Sequence, residues 1–240
     1  MVGMGELHLA ILLDRLHREF KVEARTGRPM VAYRETVRGS GRSEFTFDRE
    51  LGGRKHFARI VMEVSSAPRS AGNSVEFDVS SNVIPAEFQK HIRDGINDVL
   101  VTGVIGNYPV TDLKVTVTDG TYDELTSSDM AFRSAAVMAL RAAVKSADPV
   151  FLEPIMLVEV TVPTEYMGDV LTDMSSRKGR VKEIANKGPV QVISALVPLA
   201  RLFGYASAVR SISKGRAAPT MEPQCFEIVS ESIQQEFLAR

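Results

Sequence analysis

The sequence predicts an α+β protein built from two consecutive domains, and three observations carry this prediction. The chain has 240 residues, which is long for one domain and sufficient for two. Residues 153–230 repeat a strand–helix–strand pattern, in the order βαββαβ. Residues 29–152 instead place three short alternating strands ahead of the first of two amphipathic helices, and this segregation is typical of α+β domains.

Composition excludes several classes of protein. The chain is 44% hydrophobic and 25% charged, and it contains no apolar run of the roughly 18 residues that suggest a membrane span. Its beginning lacks a cationic segment ahead of the apolar residues, so we expect no secretory signal. The single cysteine, Cys225, excludes an intramolecular disulfide and is expected to be a buried thiol in a reducing cytoplasm. The net charge of −1 means that any nucleic-acid contact must depend on local basic patches.

The first segment is interpreted as the end of a domain whose beginning is absent. Gly5 to Phe20 carries apolar residues at helical spacing and predicts one amphipathic helix. Val22 to Thr26 predicts a strand, which Gly27 and Pro29 would end. One helix cannot bury such a stripe by itself, so we assign residues 1–28 to this remnant.

Alternating apolar residues predict the strands of the second segment, residues 29–152. The strand positions are Phe45 and Phe47, then Ile60, Met62 and Val64, then Val75, Phe77 and Val79, then Leu113, Val115 and Val117. Pro85 is expected to open a helix. Its apolar face would consist of Phe88, Ile92, Ile96 and Val99. A second, alanine-rich helix is predicted from about Asp129 to Ser146, with Thr126 and Asp129 as a capping box.

The third segment, residues 153–230, contains the repeat. The predicted elements are a strand over 155–162, a helix capped by Thr164, strands over 180–185 and 190–197, a helix striped from Leu199 to Val209, and a strand over 220–229. This order is the split βαβ arrangement of ferredoxin-like domains. We expect the polar segment 231–240 to fray or to form a short helix.

Three stretches carry motifs whose order extends over nearly the whole chain. They are Gly3 to Leu9; Tyr108 to Phe132, with Asp119-Gly120-Thr121-Tyr122; and Leu152 to Ala206, with Ser176-Arg177-Lys178-Gly179-Arg180. Each motif is weak alone. Together they resemble the translation elongation factor G family, including its specialised paralogues.

The resemblance implies a domain assignment. Residues 1–28 would end domain III, residues 29–152 would form domain IV with a ribosomal protein S5 domain 2-like fold, and residues 153–230 would form the ferredoxin-like domain V. In the family, GTP and magnesium bind in N-terminal domains. This sequence has no G-x-x-x-x-G-K-[ST] loop, so we expect the chain to hold no cofactor and not to hydrolyse GTP by itself. No histidine has a partner at metal-ligand spacing, so we also expect no metal site.

The resemblance further implies that two loops of domain IV contact the tRNA–mRNA duplex. The first corresponds to Gly52 to Arg59, where two glycines allow a tight turn. The side chains expected to contact phosphates are Arg54, Lys55, His56 and Arg59. Phe57 can stack on a base. The alternative is a solvated hairpin with scattered charges.

The second loop, Asp119 to Ser128, departs from the family pattern. The family usually has a histidine where Asp123 stands, and a carboxylate is repelled by a phosphodiester. The two acidic residues, Asp123 and Glu124, favour a specialised paralogue with altered translocation activity. Tyr122 is assigned to the same contact surface. The alternative is that Tyr122 is a hairpin residue half packed on its neighbours. Ser127 and Ser128 are interpreted as helix-capping residues.

In the family, domain V docks on the large ribosomal subunit. The matching cations here are Arg177, Lys178 and Arg180 after the first helix of the repeat, and Lys214 and Arg216 after the second. They lie on different connections and need not form one patch. Cations at a helix C-terminus also interact favourably with the helix dipole, which can account for Arg177 and Lys178.

The leading hypothesis is therefore a ribosome-binding arm of an elongation factor G-like GTPase that supports tRNA–mRNA translocation. Its expected partners are the rRNA of both subunits and the tRNA–mRNA duplex, and we expect a cytoplasmic monomer. A recycling or ribosomal protection paralogue is the alternative. A small-molecule kinase of the galactokinase-like fold is a third hypothesis, with Ser65 to Ser74 in place of a phosphate loop.

Overall fold

The computed structural model describes residues 6–24 and 30–239, with side chains described from Ile11 onward. It divides into two compact units. The central unit contains residues 33–152 and 228–240. The second unit, called the split-βαβ unit, contains residues 153–227 together with the described residues before Tyr33. None of the described helices is long and apolar enough to cross a membrane.

The N-terminal remnant is described only in part. Helix α1, Glu6–Phe20, confirms the predicted helix. Residues 22–24 are not in a strand, and the remainder of the predicted strand lies outside the described residues, as do Gly27 and Pro29. The first family motif lies outside them up to Gly5.

A four-stranded sheet forms the centre of the central unit. Its strands are β2 (Ser40–Leu51), β3 (Arg54–Ser66), β4 (Ser74–Phe77) and β5 (Leu113–Thr121). Their order is β2-β3-β5-β4, and β4 runs parallel to β5 while the other neighbours are antiparallel. All four predicted strands are thus confirmed, although Val79 lies beyond the end of β4.

Two helices pack against one face of this sheet. They are α2 (Ala86–Thr102) and α3 (Asp129–Ser146), and the predicted apolar face of α2 is buried. Alanines on α3 let it approach the sheet closely, so that a Cβ atom at Gly41 would collide with the backbone of α3. The predicted capping box is wrong: Ser128 is the N-cap, and its Oγ accepts from the Ala131 N–H at 3.4 Å.

The first strand of the central unit was not predicted. Strand β1, Arg34–Val37, pairs with the beginning of β6, Pro149–Pro163. Glu35 on β1 is fully buried, and its carboxylate accepts hydrogen bonds from four backbone N–H groups. The donors are Val104 (2.6 Å), Ile105 (3.0 Å), Gly106 (2.8 Å) and Tyr108 (3.1 Å). This side chain therefore fastens the segment after α2 to β1.

The C-terminal segment, predicted to fray or to form a short helix, is a short helix. Helix α6, Glu231–Leu238, places the Phe237 ring 4.7 Å from the Tyr33 ring and 5.1 Å from the Phe151 ring. The Gln234 amide accepts from the Phe151 N–H and donates to the Pro149 carbonyl, at 3.1 and 3.0 Å. The segment is polar in composition, yet one aromatic residue and one amide attach it to the central unit.

The split-βαβ unit confirms the order derived from the repeat. It consists of β6, α4 (Met167–Ser176), β7 (Arg180–Lys187), β8 (Val190–Pro198), α5 (Tyr205–Ile212) and β9 (Ala218–Ile228). The strand order is β9-β6-β8-β7, and α4 and α5 contribute Val170, Met174, Tyr205 and Val209 to its core.

Several local predictions in this unit need correction. Thr164 is not the cap of α4, whose N-cap is Tyr166; it opens a 3₁₀ turn ahead of that helix, and its hydroxyl accepts from the Gln191 amide at 3.4 Å. The second helix begins at Tyr205 rather than Leu199, because Gly204 adopts a left-handed φ of 71° that interrupts the predicted stripe. Cys225 is half-buried rather than buried, and this partial burial raises the pKa of its thiol.

Candidate nucleic-acid interface

The stretch predicted as the first loop is mostly strand. Leu51 pairs with Arg54 across a two-residue turn, in which Gly52 and Gly53 have φ values of 62° and 74°. A two-residue turn with left-handed backbone at both positions matches the twist of the flanking strands, and glycine adopts this backbone without strain. From Arg54 onward the residues belong to β3.

The second predicted loop is bonded to this hairpin. The Phe57 N–H donates to the Thr126 carbonyl at 2.8 Å, and the Ser127 Oγ donates to the Phe57 carbonyl at 2.9 Å. His56 Nδ1 lies 2.8 Å from the Ser128 Oγ. The hairpin residues 49–57 and the loop residues 122–128 thus form one cross-linked surface, called the tip below.

Three cations project from the hairpin around its turn. Lys55 is exposed, with its Nζ 3.3 Å from an Asp48 carboxylate oxygen. Arg49 is exposed, with its guanidinium 5.8 Å from the Phe47 ring centroid. Arg54 is exposed and forms no ion pair among the residues that the structure describes. Arg49 was not among the predicted contact residues, although a cation three positions before Gly52 is a sequence signal for it.

Arg59 differs from these cations because it is bound by two carboxylates. Its Nε lies 2.6 Å from Glu44, and its Nη1 lies 3.1 Å from Asp119. The hydrogen bond to Glu44, followed by that to Asp119, raises the pKa of the Arg59 guanidinium above its ordinary value. A phosphate would have to compete with both acidic side chains for it.

The two aromatic residues of the predicted surface are partly packed. The Tyr122 ring lies 5.6 Å from the Phe88 ring and contacts the core of the central unit. Phe57 is half-buried, and its backbone makes two of the three hydrogen bonds between the hairpin and the second loop. Both residues therefore shape the tip from within.

Asp123 organises its own loop. Its Oδ1 accepts from the Thr126 hydroxyl at 2.7 Å, the Thr126 N–H at 2.8 Å and the Leu125 N–H at 3.1 Å. The Thr126 hydroxyl is the largest of the causes that hold the pKa of the Asp123 carboxyl below its ordinary value. The bond from the Leu125 N–H, two residues on, makes this an aspartate-initiated turn, and aspartate is a residue type that signals such turns in a sequence.

In the split-βαβ unit, Arg177 is held in place by its neighbours. Its Nε donates to Asp173 at 2.9 Å, and its Nη1 donates to the Arg201 carbonyl at 2.7 Å. Its guanidinium lies 5.0 Å from the Tyr205 ring centroid, and its side chain is only 20% exposed. These contacts use two of the five guanidinium N–H donors and leave the side chain mostly covered, so Arg177 is poorly placed to bind a phosphate.

The other cations of this unit lie at two ends of its sheet. Lys178 follows α4, is exposed and has a left-handed backbone conformation. Arg180, two residues later, forms an ion pair with Glu227. Lys214 occupies the equivalent left-handed position after α5, just before Arg216, whose Nη1 is 2.7 Å from Glu165. Lys178 and Arg180 lie near the end of the β6–β8 pair where Ile155 faces Pro198. Lys214 and Arg216 lie near the opposite end, beside the segment that follows Pro163. The five predicted cations are therefore separated into two places.

Comparison with known families accounts for nearly the whole chain. The model described as Elongation factor G, domain IV matches residues 29–148, and the model described as Elongation factor G C-terminus matches residues 150–237. The model described as Elongation Factor G, domain III matches residues 1–28. The chain belongs to the elongation factor G family. The sequence resemblance is thereby confirmed.

One solved structure is similar to nearly the whole chain. The crystal structure of ttk003000868 from Thermus thermophilus is 33% identical in sequence and superposes with a TM-score of 0.84. The match covers 98% of this chain and 35% of that chain, so the chain spans about a third of the length of its relative. The domain IV and C-terminal matches meet at Pro149, the first residue of β6.

Proposed function

We propose that this chain is the ribosome-contacting arm of an elongation factor G-like translational GTPase, and that the tip of its central unit contacts RNA during tRNA–mRNA translocation. The observation that carries the proposal is the cross-linked tip, where Arg49, Arg54 and Lys55 project from a hairpin bonded to a second loop. The GTP and magnesium sites would lie in domains outside this chain. The partners would be rRNA of both subunits and the tRNA–mRNA duplex, met by a monomer in the cytoplasm.

The geometry of the tip suits contact with phosphates rather than reading of base sequence. Phosphate contact requires positive charge and supplies affinity without sequence information. A hairpin that is already ordered loses less conformational entropy on binding than a flexible loop does. The tip combines both properties, because its cations lie on β-strands that are bonded on each side of the turn.

Replacing Arg54 and Lys55 together by alanine is expected to weaken ribosome binding by the full protein roughly thirtyfold, since each of the two exposed charges contributes about 1 kcal/mol near a phosphate. The apparent salt dependence of binding should fall as well, because fewer counterions are released. Affinity for purified ribosomes at several salt concentrations measures both effects. The matched control is the double replacement of Arg42 and Lys114, exposed cations on the same sheet outside the tip. Equal effects of the two double variants would remove the tip from the interface.

The kinase hypothesis finds no phosphate loop in Ser65 to Ser74. Residues 67–73 connect β3 to β4, and Asn73 fixes them by donating to the Val110 carbonyl at 2.7 Å. The Gly72 N–H, which a phosphate would need, instead donates to Asp112 at 3.0 Å. A phosphate loop typically leads into a helix N-terminus, whereas this one leads into a strand.

We therefore expect the isolated chain to bind neither GTP nor ATP. Isothermal titration calorimetry with magnesium present should show no binding heat for either nucleotide at micromolar chain concentrations. The intact factor, titrated with GTP under identical conditions, is the positive control. Micromolar binding of either nucleotide by the isolated chain would restore the kinase hypothesis.

A recycling function is the second candidate, because Asp123 and Glu124 place two acidic residues on the tip where the family usually has a histidine at the first position. Ribosome splitting and single-round translocation should be measured side by side for the double variant of Arg54 and Lys55. Loss of splitting with translocation unchanged would favour recycling.

A further inference from the structure

We propose that Asp123 is a positioning residue that holds the second loop against the hairpin, so that the tip cations meet RNA as one rigid surface. The inference rests on the proposed function, since it assigns a role within the same surface. It concerns the means by which the tip is ordered, which neither the family assignment nor the cations explain.

The first step is that the loop has no core of its own. Asp123, Glu124 and Leu125 are all exposed, and the Leu125 side chain is 94% exposed at the outermost part of the loop. Burial of apolar surface therefore cannot order these three residues. Hydrogen bonds within the loop must do so, and Asp123 accepts three of them through one carboxylate oxygen.

The second step is that Asp123 acts on the residues that bind the hairpin. Thr126, which donates twice to Asp123, supplies the carbonyl that accepts from the Phe57 N–H. Ser127 accepts from the Asp123 N–H at 3.0 Å and donates to the Phe57 carbonyl at 2.9 Å. Both connections from the loop to Phe57 thus pass through residues bonded to Asp123, and Phe57 lies two positions from Lys55.

The third step concerns charge. The carboxylate interacts favourably with Lys55, which contributes to the low pKa of Asp123 after the hydrogen bonds from Thr126 and Leu125. Because the folded protein lowers this pKa, the bonds contribute fully above the ordinary pKa and are lost as the pH falls through the folded value. The hydrogen bonds to the Asp123 carboxylate are therefore fully present at neutral pH.

A direct repulsion between Asp123 and RNA phosphates predicts the opposite result from positioning. If repulsion dominates, removing the charge by any replacement strengthens binding, and salt reduces the gain. If positioning dominates, a replacement weakens binding only when it removes the hydrogen-bond acceptor. Asparagine keeps an oxygen in place without the charge, and alanine removes both, so the two replacements separate these explanations.

The experiment compares Asp123→Asn, Asp123→Ala and Ser127→Ala in the full protein. Ser127→Ala removes one of the two connections to Phe57, the hydrogen bond to its carbonyl, without changing charge. Ribosome affinity at two salt concentrations is measured beside the melting temperature and the hydrogen exchange of the Leu125 and Thr126 amides. The double alanine variant of Arg54 and Lys55 is included, because it tests the proposed function separately.

We expect Asp123→Ala and Ser127→Ala each to weaken ribosome affinity about fivefold, as expected when a contact surface must be ordered on binding. The melting temperature should stay unchanged, the loop amides should exchange faster in Asp123→Ala, and Asp123→Asn should stay within about twofold of the natural protein. Stronger binding by Asp123→Asn and Asp123→Ala alike would overturn positioning in favour of repulsion.

The inference also fails if the Arg54 and Lys55 variant weakens binding while Asp123→Ala and Ser127→Ala do not, and the proposed function then stands. If the Arg54 and Lys55 variant leaves binding unchanged, the proposed function itself fails. Should Asp123→Ala not fold, Ser127→Ala and Asp123→Asn still give opposite expectations under the two explanations.

Discussion

Replacing Glu35 by alanine is expected to lower the free energy of unfolding of the central unit by about 4 kcal/mol, the range observed when one partner of a buried charged contact is removed. Four backbone N–H groups donate to this one carboxylate, two to each oxygen. Alanine leaves all four without their acceptor, and each unsatisfied buried donor carries a desolvation penalty.

Urea denaturation and hydrogen exchange at the amides of residues 104–108 measure this effect. Glu35→Gln should be intermediate, because one oxygen remains for two of the donors while the amide nitrogen faces the other two. Glu76→Ala is the control, since Glu76 is an exposed strand glutamate whose ion pair with Lys114 contributes little. A change below about 1 kcal/mol for Glu35→Ala would show that water replaces the carboxylate.

Replacing Arg177 by alanine is expected to destabilise the split-βαβ unit by about 2 kcal/mol, as for other hydrogen bonds that involve a charged group. The side chain joins the end of α4 to the Arg201 carbonyl and covers the Tyr205 ring. Alanine removes the ion pair with Asp173, the bond to the carbonyl and the packing on the ring together.

The matched controls for Arg177 are its neighbours Lys178 and Arg180, which are exposed. Lys178→Ala and Arg180→Ala should change the melting temperature little. If Lys178→Ala and Arg180→Ala weaken ribosome binding while Arg177→Ala mainly lowers stability, then Arg177 has a structural role and the other two cations contact the ribosome. Equal stability for all three variants would contradict the structural role of Arg177.

Much of the fold follows from local patterns in the sequence. The βαββαβ order and the alanine-rich α3 were predictable because strand and helix periodicities are strong over those segments. Strand β1 was not, because Arg34–Val37 is short and gains its order from pairing with β6 and from the Glu35 carboxylate. Long-range contacts of this kind leave no local pattern.

The candidate site was predictable in composition and not in geometry. The two glycines and the run of cations indicated a turn at this position. They did not indicate the strand register, in which the residues from Arg54 onward pair with β2. Charge alone could not distinguish Arg59 and Arg177, which are bound by carboxylates, from the freer Arg54. The partners of a charged side chain depend on residues far away in sequence, and here Arg59 and Asp119 are brought together by strand pairing.

The docking of α6 has a consequence for the order in which the chain folds during synthesis. The central unit includes residues 33–152 and 228–240, so its aromatic cluster requires Phe237, which is made after the whole split-βαβ unit. Domains generally fold as their chain emerges from the ribosome. Here the split-βαβ unit, continuous from Glu153 to Glu227, can complete its core while the central unit still lacks its last helix. A released chain that ends at residue 227 should therefore protect the split-βαβ unit from proteolysis and leave the Phe151 amide, which donates to Gln234 of α6 in the longer chain, open to hydrogen exchange.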